Sequence, residues 1–174
     1  LTARSSLTQD IVFYADDPMI RFDTRMDWQD DHRLLKTAFP TSILSDFARQ
    51  EIQFGHVKRP TTRNTSIEKA KFEVCNHRFT DLSELRYGVS LLNDCKYGIS
   101  VKDGCMALTL HKGGCRPDAA GDKGIHDCTY ALLPHIGDFS SDTVIRAAYC
   151  INDPVSIVSG RTQNQQSFVS SSES

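Results

Sequence analysis

Apolar and polar residues alternate in short runs along most of this chain, and turn residues cut the runs apart. Ile11 and Phe13, then Ile20 and Phe22, alternate with polar neighbours on either side of residues 15–18 (ADDP). A period of two puts one face of an extended chain in a core and the other in water, so this stretch predicts a hairpin of half-buried strands. The pattern returns at residues 32–39 (HRLLKTAF), 51–57 (EIQFGHV), 71–79 (KFEVCNHRF), 97–101 (YGISV), 105–110 (CMALTL) and 127–134 (DCTYALLP). Pro40 and Pro134 are expected to stop their strands, since proline gives no ladder donor. Asp103-Gly104 between two alternating runs predicts a tight hairpin turn. In residues 51–57 Ile52 and Phe54 are the apolar positions of the alternation, with Gly55 allowing a bulge, and Phe54→Ala would cost about 3–5 kcal/mol if that side chain is core.

The remaining segments read differently. Residues 45–48 suit a brief helical turn, residues 58–64 (KRPTTRN) and 112–124 suit loops, and residues 81–84 (DLSE) a turn. In residues 141–152 (SDTVIRAAYCIN), Ser141 can cap a helix whose Val144, Ile145, Ala148 and Tyr149 fall at helical spacing. Seven or eight short strands with one late helix predict an all-β fold, an antiparallel β-sandwich. Residues 1–158 form the domain, and residues 159–174 are too polar and serine-rich to fold alone.

Composition narrows the function classes. A length of 174 residues suits one core, and a net charge of -2 offers no basic surface for nucleic acid. No apolar run approaches the roughly 20 residues of a membrane span, and residues 1–10 (LTARSSLTQD) lack the order of a signal peptide. The chain begins without Met, as expected of a piece cut from something longer. Six scattered cysteines, none in a CxxC pair, read as buried thiols of a reducing compartment. His32, His56, His77, His111, His126 and His135 are isolated in sequence and make no metal motif.

Two stretches carry the candidate site. In residues 87–98 (YGVSLLNDCKYG) the apolar run of Val89, Leu91 and Leu92 delivers the chain into a polar knot of Asn93, Asp94, Lys96 and Tyr97 closed by Gly98. Such a knot is presented at the rim of a sheet, where ligands meet turns. Its companion, residues 51–64, ends in Arg, Thr and Asn side chains able to bond sugar hydroxyls or their own backbone. Asp27, Asp30 and Asp31 read as a solvated turn. For the chain to be a glycosidase by itself, two carboxylates among Asp27, Asp30, Asp31, Glu51 and Asp94 would have to converge. Nucleophile-elbow, metal and nucleotide-loop motifs are absent from the sequence.

In order, DWQDDHRLLK, FGHVKRPTTRNTS, KFEVCNHRFTDLSE, YGVSLLNDCKYG and YALLPHIGDF resemble the C-terminal β-domain of the α-mannosidases of glycoside hydrolase family 38, over residues 11–154. The branch is that of cytosolic, vacuolar and many bacterial enzymes. The resemblance implies part of a galactose-mutarotase-like sandwich from a cytoplasmic, retaining exo-α-mannosidase that removes terminal mannose from oligosaccharides. It further implies that the catalytic carboxylates and a zinc ion, or another divalent metal, belong to an upstream barrel outside this chain. The chain alone would then be inactive, with no catalytic or metal residue of its own. Asn93, Asp94, Lys96, Tyr97, Arg63 and Asn64 become substrate-rim candidates, unless both loops only dock onto the barrel. The alternative is a free-standing carbohydrate-binding or interaction module. The resemblance stops at residue 154, which predicts unpaired strand edges and a tendency to associate.

Overall fold

A computed structural model describes residues 1–118, 120–157 and 159–160. Among them are eleven strands: β1 (Ser6–Tyr14), β2 (Asp17–Trp28), β3 (Leu34–Pro40), β4 (Phe47–Ile52), β5 (Gly55–Pro60), β6 (Val74–Cys75), β7 (Phe79–Ser83), β8 (Tyr87–Asn93), β9 (Gly98–Lys102), β10 (Cys105–Lys112) and β11 (Gly124–Ile136). They form a seven-stranded sheet, β1-β2-β11-β8-β7-β4-β5, and a four-stranded sheet, β3-β10-β9-β6. Every pairing is antiparallel. The β-sandwich expected from the alternation is the fold observed.

The two sheets enclose one core, with Met26, Leu82, Leu91 and Tyr130 of the large sheet meeting Ile99, Met106 and Leu108 of the small one. A second cluster lies on the outer face of the large sheet, where Phe79, Leu92, Ala131 and Leu133 are covered by Val144 and Ala148. This explains why β8 breaks the alternation. It lies between β11 and β7 with both faces covered, so Leu91 and Leu92 are both fully buried.

Several expectations are corrected. Residues 51–57 are not one strand but a hairpin, because Phe54 takes a left-handed backbone (φ 62°) in the turn between β4 and β5. Phe54 is therefore fully exposed rather than core. Residues 45–48 lead into β4 without a helical turn, and residues 58–60 belong to β5 rather than to a loop. Residues 71–79 divide between the sheets, β6 in the small and β7 in the large, and residues 81–83 belong to β7. Pro134 lies inside β11 opposite Val89, in a part of the strand whose pairing with β2 has already ended at Leu132. With a partner on one side only, a missing N–H is tolerated.

The Asp103-Gly104 turn is as expected, with both residues at positive φ (50° and 74°). The late helix begins as a π-helical turn (Ser141–Ile145) and continues as α2 (Arg146–Asn152). Its N-cap is Ser140, with no side-chain capping bond, instead of Ser141. A short helix, α1 (Ser66–Ala70), was not expected. Thr65 Oγ accepts the Glu68 N–H (3.1 Å) and the Glu68 carboxylate accepts the Thr65 N–H (3.3 Å). That reciprocal cap is readable in TSIE. Residue 158, at the expected domain boundary, and residues 161–174 of the expected tail (159–174) lie outside the described residues.

All six cysteines are free thiols, but only Cys128 is buried, and burial pushes its pKa up to about 11. Cys75, Cys95 and Cys150 are exposed, against expectation. Three of the histidines isolated in sequence gain partners in the fold. His111 and His126 bring their rings to 4.4 Å, and His135 Nε2 lies 2.8 Å from the buried Asp81 carboxylate, which also accepts the Ser90 hydroxyl (2.8 Å).

Candidate functional site

A concavity of about 800 Å³ opens between the tip of the β4–β5 hairpin, the β8–β9 turn and α2. Glu51, Phe54, Arg78, Tyr97, Tyr149 and Asn152 are among its lining residues. Glu51 is placed on the outer side of β4, where Arg78 meets it. The Arg78 backbone N–H donates to Glu51 Oε2 (2.7 Å) and its Nε donates to Oε1 (3.0 Å). The same guanidinium lies over the Tyr149 ring at 3.8 Å and donates to its hydroxyl (3.1 Å). The Glu51 bond, chiefly, raises the Arg78 pKa, so the cation is fixed. The Tyr97 ring stands 5.3 Å from that of His77. The cleft thus offers a fixed ion pair flanked by aromatic side chains, with Phe54, Tyr97 and Tyr149 all exposed. Such a surface can stack on the apolar face of a sugar ring and bond its hydroxyls.

The six rim candidates are not gathered in one place. Only Tyr97 lines this cleft. Asn93 is completely buried; its Nδ2 donates to the His77 carbonyl (2.8 Å), and its Oδ1 accepts the Lys96 N–H (2.7 Å). It builds the knot from within. Asp94 accepts the Thr129 N–H (2.9 Å) and borders a separate recess of about 300 Å³ with Arg21, Asp23 and Cys150. Lys96 is half-buried, and its charge helps depress the His111 pKa. Arg63 donates to the Phe72 carbonyl (3.1 Å) and borders a third cavity between the sheets. Asn64 is exposed just before the cap of α1, its N–H donating to Glu68 (2.6 Å). Arg78, Tyr149 and Asn152 were missed, because nothing in sequence links a loop arginine to a helix some seventy residues later.

The acids considered for catalysis are each taken by their own partners. Asp27 accepts from Gln29 (2.6 Å), Asp30 from Ser5 and Thr2, and Asp31 faces Lys123 (2.6 Å), while Glu51 and Asp94 are held as above. The Ser5 and Thr2 hydroxyls hold Asp30 below its usual pKa, and the Lys123 bond does the same for Asp31. Among the described residues, no three His, Cys, Asp or Glu side chains gather as a metal-binding group, so this donor set does not fit the zinc ion the resemblance implies. No described helix is long and apolar enough to cross a membrane.

A sequence model described as the glycosyl hydrolases family 38 C-terminal domain matches residues 2–120. The chain belongs to that family. It is 46% identical over 155 residues to "Alpha-mannosidase 2C1" of Homo sapiens, covering 89% of this chain and 15% of the human protein. It is 52% identical over 117 residues to "Alpha-mannosidase" of Saccharomyces cerevisiae, covering 67% of this chain and 11% of that protein. The chain therefore spans about one seventh or less of these relatives. In fold it is similar to an alpha-mannosidase from Enterococcus faecalis V583, with a TM-score of 0.74 at 18% identity over 82% of this chain and 17% of that one. The family match ends before β11, yet β11 is the strand that joins β2 to β8 at the middle of the large sheet.

Proposed function

We propose that this family 38 chain is the C-terminal β-sandwich of a cytoplasmic, retaining exo-α-mannosidase, and that it walls the active site rather than performing the chemistry. The carrying observation is that the chain spans 11–15% of its α-mannosidase relatives while matching their C-terminal domain. The carboxylates and the zinc or other divalent metal then belong to an upstream barrel, and the substrates are terminal α-mannosides of oligosaccharides. In this reading Tyr97, with Phe54, Arg78 and Tyr149, meets the sugar or the barrel at the cleft. Asn93, Asp94 and Lys96 shape the turn that carries Tyr97, whereas Arg63 and Asn64 lie apart from the cleft, by α1.

The test is to assay the 174-residue chain against a chromogenic α-mannoside with added zinc or cobalt, alone and joined to the upstream part of its enzyme. Turnover is expected only in the joined protein, and there Tyr97→Ala is expected to reduce it. Metal-dependent turnover by the folded chain alone would sink the proposal. A second reading, a free-standing sugar-binding module, draws on the exposure of Phe54, Tyr97 and Tyr149 beside a fixed ion pair. Saturable binding of mannose oligosaccharides to the isolated chain, lost in Tyr97→Ala, would favour it.

A further inference from the structure

On the other side of β4 from the cleft, a cavity of about 220 Å³ enters between the two sheets beneath α1. Its floor is apolar, built from Ala48, Val74, Ile99 and Val101. Four cationic residues border it, Lys58, Arg59, Arg63 and Lys71, against one carboxylate, Glu68, and strand alternation turns the side chain of Arg59 toward it and that of Lys58 away. Lys58 is shared with the opposite face of β5, where its charge helps hold Asp138 ionised. Glu68 is occupied by the cap of α1 through Oε2, which takes the N–H groups of Asn64 and Thr65. Arg59, Arg63 and Lys71 make no ion pair with any described residue.

Arg59 is the informative one. It lies on β5 opposite Ala48 and is half-buried, with its guanidinium donating to the Gln50 side chain and to the Cys75 carbonyl (2.9 Å). Both acceptors are neutral. Burial lowers its pKa, as expected for a cation withdrawn from water without a counter-charge. Arg63 and Lys71 stand at the mouth of the same cavity, and Thr62 and Ser100 add hydroxyls to its wall. A partly buried, uncompensated cation is costly, and an anion carrying several acceptor oxygens would offset that cost through charge-assisted bonds.

We propose that this cavity binds a phosphate-type oxyanion, either inorganic phosphate or the phosphate of a small sugar or polyol ester. Arginine pairs and hydroxyls suit a tetrahedral group with acceptors in several directions. The volume lies below the roughly 300–1,000 Å³ of drug-sized pockets, which limits the ligand to a phosphate and a small organic group. The apolar floor then faces the carbon skeleton of an ester. The site is separate from the cleft and does not depend on the mannosidase reading.

Calorimetric titration of the 174-residue chain with inorganic phosphate and with glucose 6-phosphate tests this, against sodium chloride at matched ionic strength. Saturable binding is expected with a Kd of about 1 mM or tighter. Arg59→Met and Arg63→Met should each weaken it about tenfold or more, because each removes a charge-assisted bond. Lys102→Met, outside the cavity, should leave it unchanged. If Arg59→Met fails to fold, Arg63→Met and Lys71→Met carry the comparison. Tighter binding of the ester assigns a phosphate ester, and equal binding assigns phosphate itself. Absence of saturable binding to the unmodified chain, or equal binding by the arginine variants, overturns the proposal.

Discussion

Arg78 shows what one side chain contributes when the fold holds it from two sides. Its Glu51 partner is nearly buried (8% side-chain exposure), whereas Arg78 keeps 29%. Removing the arginine strands a carboxylate that retains only the backbone bond from residue 78. Arg78→Ala is accordingly expected to cost about 1–3 kcal/mol in denaturant unfolding. Phe54 is the opposite case. Its ring touches solvent all round, so Phe54→Ala is expected to change stability by no more than about 0.5 kcal/mol, not by the cost of a core cavity. An unfolding midpoint that drops like a core deletion would mean the hairpin tip is covered. His111 supplies a pH dependence. It is buried against Trp28, and burial first, then the charges of His126 and Lys96, hold its pKa below 6.5. Above that value both folded and unfolded chains carry it neutral, so nothing is lost. As pH falls through 6.5 the unfolded chain takes the proton first, and stability declines until the folded histidine is also protonated. Melting at pH 5 should therefore lie below melting at pH 7, and His111→Phe should flatten that difference.

At the scale of elements, the hairpins tie sequence to fold most directly. The β9–β10 turn has Gly104 at φ 74°, and a Cβ there would lie 2.8 Å from the Thr41 carbonyl oxygen. Gly104→Ala combines backbone strain with that clash, and is expected to destabilise by about 1–2 kcal/mol. An unchanged melting temperature would show that the turn relaxes. This hairpin was legible because Asp-Gly and the flanking alternation demand the same geometry. The β4–β5 hairpin was not, because Phe54 continues the apolar alternation while its backbone turns left-handed, and local pattern carries no sign of φ. The division of residues 71–79 was also hidden. β6 and β7 share one apolar rhythm but belong to different sheets, a choice made by distant partners in β9 and β4. The site followed the same rule. The knot of residues 93–98 could be read as a turn, but its coupling to Tyr149 and Asn152 needed α2 folded back over β8.

For the molecule as a whole, the two sheets differ in width, and the consequence falls on β1. Ile11 pairs with Phe22 and Phe13 with Ile20, yet Ile11 and Phe13 remain 54% and 69% exposed. An apolar edge strand of this kind invites pairing with another chain. The purified chain is expected to associate as its concentration rises, and Ile11→Lys with Phe13→Lys should keep it monomeric in sedimentation. Association undiminished in that double variant would place the sticky surface elsewhere. The sandwich as a class was visible in the alternation, whereas the unequal widths were not, since they depend on which of eleven strands join which sheet.

β4 stands between two concavities and serves both with alternate residues. Ala48 and Gln50 line the cationic cavity between the sheets, while Glu51 faces the aromatic cleft. The strand works as a two-sided ruler, so loss or gain of a single residue between Phe47 and Ile52 would exchange the two readings at once. A carboxylate would then enter the interior as an amide left it. Length in this strand is thus constrained more tightly than the identity of any one side chain, and insertions can be accommodated only beyond its ends.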